Sequence, residues 1–415
     1  MKKMSFRQIF KDLDKPLLIL SIILFIAGLL NIVSSSSRAA VVNYGVSIYY
    51  YFFKQLIFLG LGTILGLVII KIDTKYYKVL VPFLFFIVIL LNIWALTGEE
   101  LSGSKNWIDL KIMKLQPSEL SKPIIIALLA ILFEKYYRPL RTINDPKTRY
   151  KSIGIIVLAA MIIPCLIILQ KDFGTLLITL FIIGMLLLAS PILKSDKLKV
   201  VLLLIGVCSA AALIMYSVQG YILNEERISR FTTFLDPCGN YENGGYQVCN
   251  SYIAINNGGV FGVGPAKSKQ KYSYIPEPHT DSAFAIIAEE YGFLSCFILI
   301  CYALILWRIL EISAKAATLR GRYLCLGIAS YIFIHIFVNL GGLFGIIPLT
   351  GVPLPFISYG GSFALSLIAA LSIVQRVNIE TKNKQIKIKW HLVSFFKGKI
   401  KITAYIYLWR CPWIF

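Results

Sequence analysis

Val79-Leu80-Val81-Pro82-Phe83-Leu84-Phe85-Phe86-Ile87-Val88-Ile89-Leu90-Leu91 opens a stretch, 79–97, without one charged residue. About 20 mostly apolar residues cross the roughly 30 Å of hydrocarbon in a bilayer. Lipid offers backbone groups no partner, so such a segment must be helical. Working outward, similar runs lie near 17–33, 52–70, 119–134, 152–169, 173–193, 199–219, 283–306, 323–343 and 361–375. The expected fold class is therefore an all-α polytopic membrane protein of ten transmembrane helices. The run at 119–134 starts with polar residues, so it should face protein or a wet cavity rather than lipid.

The whole composition agrees. Of 415 residues, 57% are hydrophobic and 15% charged, against about 25% charged in soluble domains. The mean hydropathy is +0.74. Disorder, a coiled coil and an ordinary soluble enzyme are excluded. The net charge of +21 would raise nucleic acid as a partner in a soluble protein. Here it reports sidedness instead: 30 of the 42 basic residues fall on one side of the ten runs. The positive-inside bias places both termini in the cytoplasm, with loops 98–118, 220–282 and 344–360 outside. The expected organisation is a cytoplasmic N-terminus (1–16), a membrane domain (17–377) with a long extracellular loop (220–282) between spans 7 and 8, and a basic cytoplasmic or interfacial tail (378–415). The first run reads as a signal anchor rather than a cleaved leader.

Cys238 and Cys249 stand apart from the other cysteines, which sit in spans or the tail and read as small apolar residues. Both lie in the outward loop, where an even pair favours a disulfide; two free thiols is the alternative.

Three polar clusters sit at the outer ends of the spans. The first is loop 220–282. It holds Arg227, Arg230, the glycine-rich run 256–264, Lys267, Lys269 and Lys271, and closes on His279-Thr280-Asp281. Cations beside glycines suit an anionic headgroup such as a phosphate. Asp281, where the loop enters the bilayer, is either a helix cap or a general base made stronger by partial desolvation. His279 is an interfacial hydrogen-bonder or a base. The second cluster runs from Lys105 through Trp107, Asp109, Lys111 and Lys114 to Gln116-Pro117-Ser118-Glu119. Glu119 and Lys122 are three apart and can pair on one helix face; Pro117 and Glu119 also start a helix well. The third, 348–362, carries prolines and glycines around an apolar patch. It reads as a broken element, tolerated at membrane depth only when protein or a cavity covers it. The adjacent Glu289 and Glu290 inside a span should not face lipid.

These segments resemble the SEDS family (FtsW, RodA and SpoVE), membrane peptidoglycan glycosyltransferases. The resemblance rests on Gly103-Ser104-Lys105-Asn106-Trp107-Ile108, Gln116-Pro117-Ser118-Glu119-Leu120-Ser121-Lys122, Asp172-Phe173-Gly174-Thr175, Arg230-Phe231 through Asp236-Pro237, Pro276-Glu277-Pro278-His279-Thr280-Asp281, and Pro353-Leu354-Pro355-Phe356-Ile357-Ser358-Tyr359-Gly360-Gly361-Ser362. It covers about 17–377, with the FtsW and SpoVE branch somewhat favoured. Ser282, Asn106 and Lys171 depart from the family pattern, where Phe, Arg and Pro are usual. The cysteine pair is no family feature.

What the resemblance implies is a polymerase of lipid II, the undecaprenyl-pyrophosphate-linked disaccharide peptide, acting at the outer face of the bacterial cytoplasmic membrane in septal or elongation cell-wall synthesis. Asp281 would be the general base. Lys105, Lys114, Lys122, Arg227 and Arg230 would neutralise the leaving pyrophosphate. Trp107, Glu119, His279, Ser358 and Gly360 fall in the matched motifs as further substrate-site residues. No cofactor is required by the residues, though a divalent cation (Mg or Mn) is compatible. The implied partners are a class B penicillin-binding transpeptidase and divisome or elongasome proteins, not nucleic acid. The competing functions are a lipid II flippase, which has no need of an aspartate aimed at a sugar hydroxyl, and a non-catalytic division scaffold.

Overall fold

The computed structural model describes residues 6–397 apart from 44, 101–102, 111–113, 204–205, 207–233, 235, 240–244, 273–274 and 276–277. Arg227 and Arg230 therefore lie outside the described residues. The helices used below are α1 (Phe6–Asp12), α2 (Lys15–Arg38), α3 (Tyr50–Lys71), α4 (Tyr77–Ala95), α5 (Pro117–Lys135), α6 (Pro146–Leu169), α7 (Phe173–Ala189), α8 (Tyr246–Gly258), α9 (Ala283–Tyr291), α10 (Cys296–Lys315), α11 (Leu319–Leu343) and α12 (Gly361–Lys397). A single 3-10 turn joins α9 to α10.

Seven helices among the described residues are long and apolar enough to cross a membrane. They correspond to the expected spans at 17–33, 52–70, 79–97, 152–169, 283–306, 323–343 and 361–375. The run at 173–193 forms the shorter apolar helix α7, and 119–134 forms α5, with Glu119 and Lys122 in its first turns. Of 199–219, residues 199–203 and 206 are helical and the rest lies outside the described residues.

Local chemistry sets the helix starts. The side chains of Asp14, Asp145, Asp172 and Thr318 each accept a backbone amide at the head of α2, α6, α7 and α11, satisfying donors that have no partner inside the helix. Proline occupies an early position in α2, α5 and α6, where its missing N–H costs nothing.

The core centres on α5. Ile125, Ile126, Leu129, Ala130 and Phe133 are fully buried beneath α4, α6, α7, α11 and α12. Outer helices show the opposite pattern, with Ile64, Val79, Phe83 and Trp307 each more than 60% exposed. An apolar surface of that extent belongs against lipid.

The expected boundary at 377/378 falls inside one continuous helix, α12. Val377, Ile379 and Thr381 are buried, and Ile379 joins Ile9, Leu13 and Ile70 in a small apolar cluster. The helix runs on because α1 and the end of α3 cover it. At this same end of the bundle, Arg308 grips Asp14 with two nitrogens, at 3.0 and 2.7 Å. Arg376 pairs with Asp73 and Glu380, and Arg320 with Glu134.

Candidate active site

The opposite end of the bundle assembles around Asp281. The residue is 8% exposed and immediately precedes α9. Its carboxylate does not cap that helix, whose start at Ser282 lacks a side-chain cap. Instead Oδ1 accepts from Gln247 Nε2 of α8 at 2.9 Å, and more weakly from Ser282 Oγ at 3.4 Å and Thr280 Oγ1 at 3.5 Å. Oδ2 faces Gly351, where an added Cβ would stand 3.9 Å away and the φ of +71° favours glycine. The backbone carbonyl of Asp281 accepts from Asn339 of α11 at 2.7 Å. Burial pushes the carboxyl above the usual carboxylate range, against the hydrogen bonds from Gln247 and Ser282.

His279 lies beside it with a different task. Its carbonyl accepts the Tyr359 amide at 2.8 Å, and its ring meets those of Tyr51 and Tyr359, with centroids 4.6 and 5.8 Å away. Burial lowers its pKa to about 4, so the imidazole is neutral near pH 7. It walls the site.

Beneath the broken loop lies a wholly buried polar network. Lys122 Nζ donates to Glu119 Oε1 at 2.7 Å and reaches His335 Nε2 at 3.1 Å. His335 Nδ1 stands 3.4 Å from the Pro353 carbonyl and Asn339 donates to the Val352 carbonyl at 2.8 Å. Ser366 of α12 donates to the Glu119 carbonyl at 2.8 Å. This network ties α5, α11 and α12 to the loop that faces Asp281. Lys122 is thus occupied by Glu119 and His335 rather than presented to an anion.

The loop before α5 is clamped on the turn between α6 and α7. Asp172 accepts from Asn106 Nδ2 at 2.6 Å and from Gln116 Nε2 at 3.1 Å while capping α7, and the Lys105 amide donates to the Gln170 carbonyl at 3.0 Å. Asn106, an unusual residue for the family pattern, makes the shorter of these two bonds to Asp172. Lys105 and Trp107 are half-buried there; Lys114 is exposed and pairs in register with Asp109. Ser358 and Gly360 shape the broken loop. The Ser358 hydroxyl accepts the Leu354 amide at 2.9 Å, and the Gly360 amide donates to Gln55 of α3 at 3.2 Å.

The glycine-rich run packs against α9. Gly258 and Gly262 let the chain touch α9: a Cβ on either would lie about 2 Å from the Ala288 or Glu290 carbonyl. The amides of Val263 and Gly264 are taken by the carbonyls of Glu289 and Glu290, at 2.9 and 3.0 Å. Lys271 is likewise spent inside the protein, on Glu290 at 3.1 Å and Ser34 at 2.9 Å. Glu289 accepts the Ser268 hydroxyl and the amides of Lys269 and Gln270. The two glutamates thus avoid lipid by anchoring the outward loop. Cys238 and Cys249 are joined as a disulfide.

Asp281, His279 and the 350–360 loop converge, as do Glu119 and Lys122. Gln247, Asn339 and His335 complete the site and were not singled out from the sequence. A histidine and an asparagine one turn apart in an apolar span were the available signal. Gln247 carried none. Among the described residues no three His, Cys, Asp or Glu side chains converge as a metal site would need.

A family model described as cell cycle protein, FtsW/RodA/SpoVE, matches residues 15–383. The chain is 35% identical to the probable peptidoglycan glycosyltransferase FtsW of Bacillus subtilis, over 96% of this chain and 100% of that one. It is 32% identical to stage V sporulation protein E of the same organism, over 89% and 97%. Among solved structures, a peptidoglycan synthase complex that coordinates polymerisation and crosslinking contains a chain with a TM-score of 0.67 and 25% identity, covering 89% of this chain and 98% of that one. The rod shape determining protein RodA of Thermus thermophilus matches with a TM-score of 0.63 and 24% identity, covering 89% and 97%.

Proposed function

This chain belongs to the FtsW/RodA/SpoVE family, and we propose from that premise that Asp281 is the general base of its glycosyl transfer. The protein is a multi-pass bacterial membrane protein and a peptidoglycan glycosyltransferase. Its substrate, in this reading, is lipid II, polymerised at the outer face of the cytoplasmic membrane for septal or elongation wall synthesis. Ten spans with both termini in the cytoplasm agree with the basic residues gathered at the end opposite Asp281.

One observation carries the assignment. Asp281 is a buried carboxylate whose side-chain donors are neutral. Among the described residues, the other buried or half-buried carboxylates near the outer face are spent: Glu119 on Lys122, Glu290 on Lys271, Glu289 on the donors of the outward loop, Asp172 on its cap and clamp. Cation pairing would weaken a base, and no cation among the described residues pairs with Asp281.

The reaction follows from that placement. Asp281 takes the proton of the acceptor sugar hydroxyl as that oxygen forms its bond to the donor's anomeric carbon. The bond from that carbon to the pyrophosphate oxygen breaks, and undecaprenyl pyrophosphate leaves. Lys105 and Lys114, at the edge of the site, with Arg227 and Arg230 from the outward loop, supply positive charge for the leaving group. Lys122 contributes by tying Glu119 to His335, which stands against the loop facing Asp281. A divalent cation would arrive on the pyrophosphate. Apolar grooves between the spans hold the polyprenyl tails, and a class B penicillin-binding transpeptidase is the partner this reading requires, in line with the synthase complex among the structural relatives.

The test is reconstituted polymerisation of labelled lipid II, wild type against Asp281→Asn. Glycan strands from the wild type and none from the variant, with lipid II binding retained in both, is the expected result. Equal product from the two would overturn the assignment.

A further inference from the structure

We propose that Gln247 is a positioning residue that aims the Asp281 carboxylate, and that the Cys238–Cys249 disulfide holds Gln247 in place. The inference rests on the reading of Asp281 as the base.

Gln247 sits in the first turn of α8, with its side-chain nitrogen 2.9 Å from Asp281 Oδ1 and 3.1 Å from Ser282 Oγ. An amide NH₂ has two hydrogens, and here two acceptors meet it. Engaging one carboxylate oxygen fixes rotation about the Cβ–Cγ bond of Asp281. The other oxygen is then held toward Gly351, the position without a side chain. A proton acceptor must stand within about 3 Å of the hydroxyl it serves, so a carboxylate left to rotate would spend time in useless orientations.

Positioning works only if the positioner is itself fixed. Two residues along α8, Cys249 is 4% exposed and bridged to Cys238. Its amide donates to the Gly245 carbonyl at 2.8 Å, and Ser251 donates to the Gln247 carbonyl at 2.8 Å. At the far end of α8, Gly258 meets the backbone of α9. The helix is pinned at both ends, by a covalent bond at the end that carries Gln247. Ser282 belongs to the same device: its hydroxyl supplies the second acceptor, where Phe could not.

The charge environment makes the effect readable. Among the described residues, the side chains that bond the carboxylate are Gln247, Ser282 and Thr280. Among the described residues, His279 is the titratable neighbour two positions away, and its ring meets those of Tyr51 and Tyr359. A donated hydrogen bond favours the ionised carboxylate, so its loss moves the acid limb of the rate upward in pH.

The experiment uses the full chain, reconstituted with its transpeptidase partner and labelled lipid II. Gln247→Met should lower kcat about tenfold, leave KM within about twofold, and raise the acid limb by roughly half a pH unit. Gln247→Glu, which adds charge beside the base, should raise that limb further. A role confined to helix stability would leave the acid limb of both variants at the wild-type pH, and that result would overturn the proposal. The Cys238→Ser/Cys249→Ser variant should lose several-fold in kcat with the same direction of shift, and combining it with Gln247→Met should add less than the two separate losses. Strict additivity would remove the disulfide from the device. Because the cysteine variant leaves the glutamine in place, it tests the idea even if Gln247→Met fails to fold. Activity in Asp281→Asn would instead strike down the base assignment itself.

Discussion

Asn339 donates from one side-chain nitrogen to the carbonyl of Asp281 at 2.7 Å and to that of Val352 at 2.8 Å. One amide thus holds both the backbone of the base and the loop its carboxylate faces. One helical turn earlier on α11, His335 stands against the next carbonyl of that loop, Pro353, and touches Lys122 with its other nitrogen. The spacing between Asp281 and this loop is therefore set by α11.

Replacing Asn339 with Leu keeps the volume and removes the donor. Two buried carbonyls lose their partner, at a cost of about 1–3 kcal/mol each. The expected outcome is a lower unfolding temperature in detergent and polymerisation down at least about tenfold, with lipid II binding retained. A variant as active and as stable as the wild type would show that the tie does not matter.

Glu119 and Lys122 are buried at 2% and 0% exposure and paired at 2.7 Å. Removing one partner strands the other charge, at about 3–5 kcal/mol. Glu119→Gln and Lys122→Met should each destabilise the protein by about that amount, and the double variant should recover most of it. Thermal unfolding of the three variants decides the point; a double variant as weak as the sum of the singles would contradict it.

The pH dependence of polymerisation follows from the burial of Asp281. A base must be ionised, so the rate climbs as pH rises through its pKa. Burial raises that pKa, which places the climb above the ordinary aspartate value of about 4. His279 adds no second limb near 6.5, because its imidazole is already neutral there. A kcat profile with a clear transition at the normal histidine pKa would contradict this assignment of roles.

Stability should also rise with pH, through His279. Its folded pKa of about 4 lies below the unfolded value of 6.5. Between the two the unfolded chain binds the proton more readily, so stability present above pH 6.5 falls as pH drops toward 4. The loss over that window is about 3 kcal/mol. His279→Phe keeps the ring contacts with Tyr51 and Tyr359 and should flatten this part of the stability curve. An unchanged slope would place the acid sensitivity elsewhere.

Much of the fold was legible because lipid is an unforgiving solvent. Runs such as 79–97 and 323–343 had to be helices, and they are. The polar start of 119–134 marked α5 as an inner helix, and it is the core. What escaped was the use of polar residues whose partners lie far along the chain. The glycine-rich run 256–264 read as suiting an anionic headgroup; the close contact of Gly258 and Gly262 with α9 depends on where α9 lies. Lys271 and Glu290 are 19 residues apart in sequence, and nothing local announces their pairing. Past residue 377, α12 continues under the cover of α1, which hydropathy does not see.

The sequence by itself determined that this is a bundle of membrane helices with its basic end on one side, because hydrophobic length and charge asymmetry act on each segment separately. It also singled out Asp281, because an ionisable group at the mouth of a span is costly wherever it stands. Only the tertiary structure decided what surrounds that carboxylate. Gln247, Asn339 and Gly351 come from three distant segments, and they meet because burying the helix faces brings those segments together.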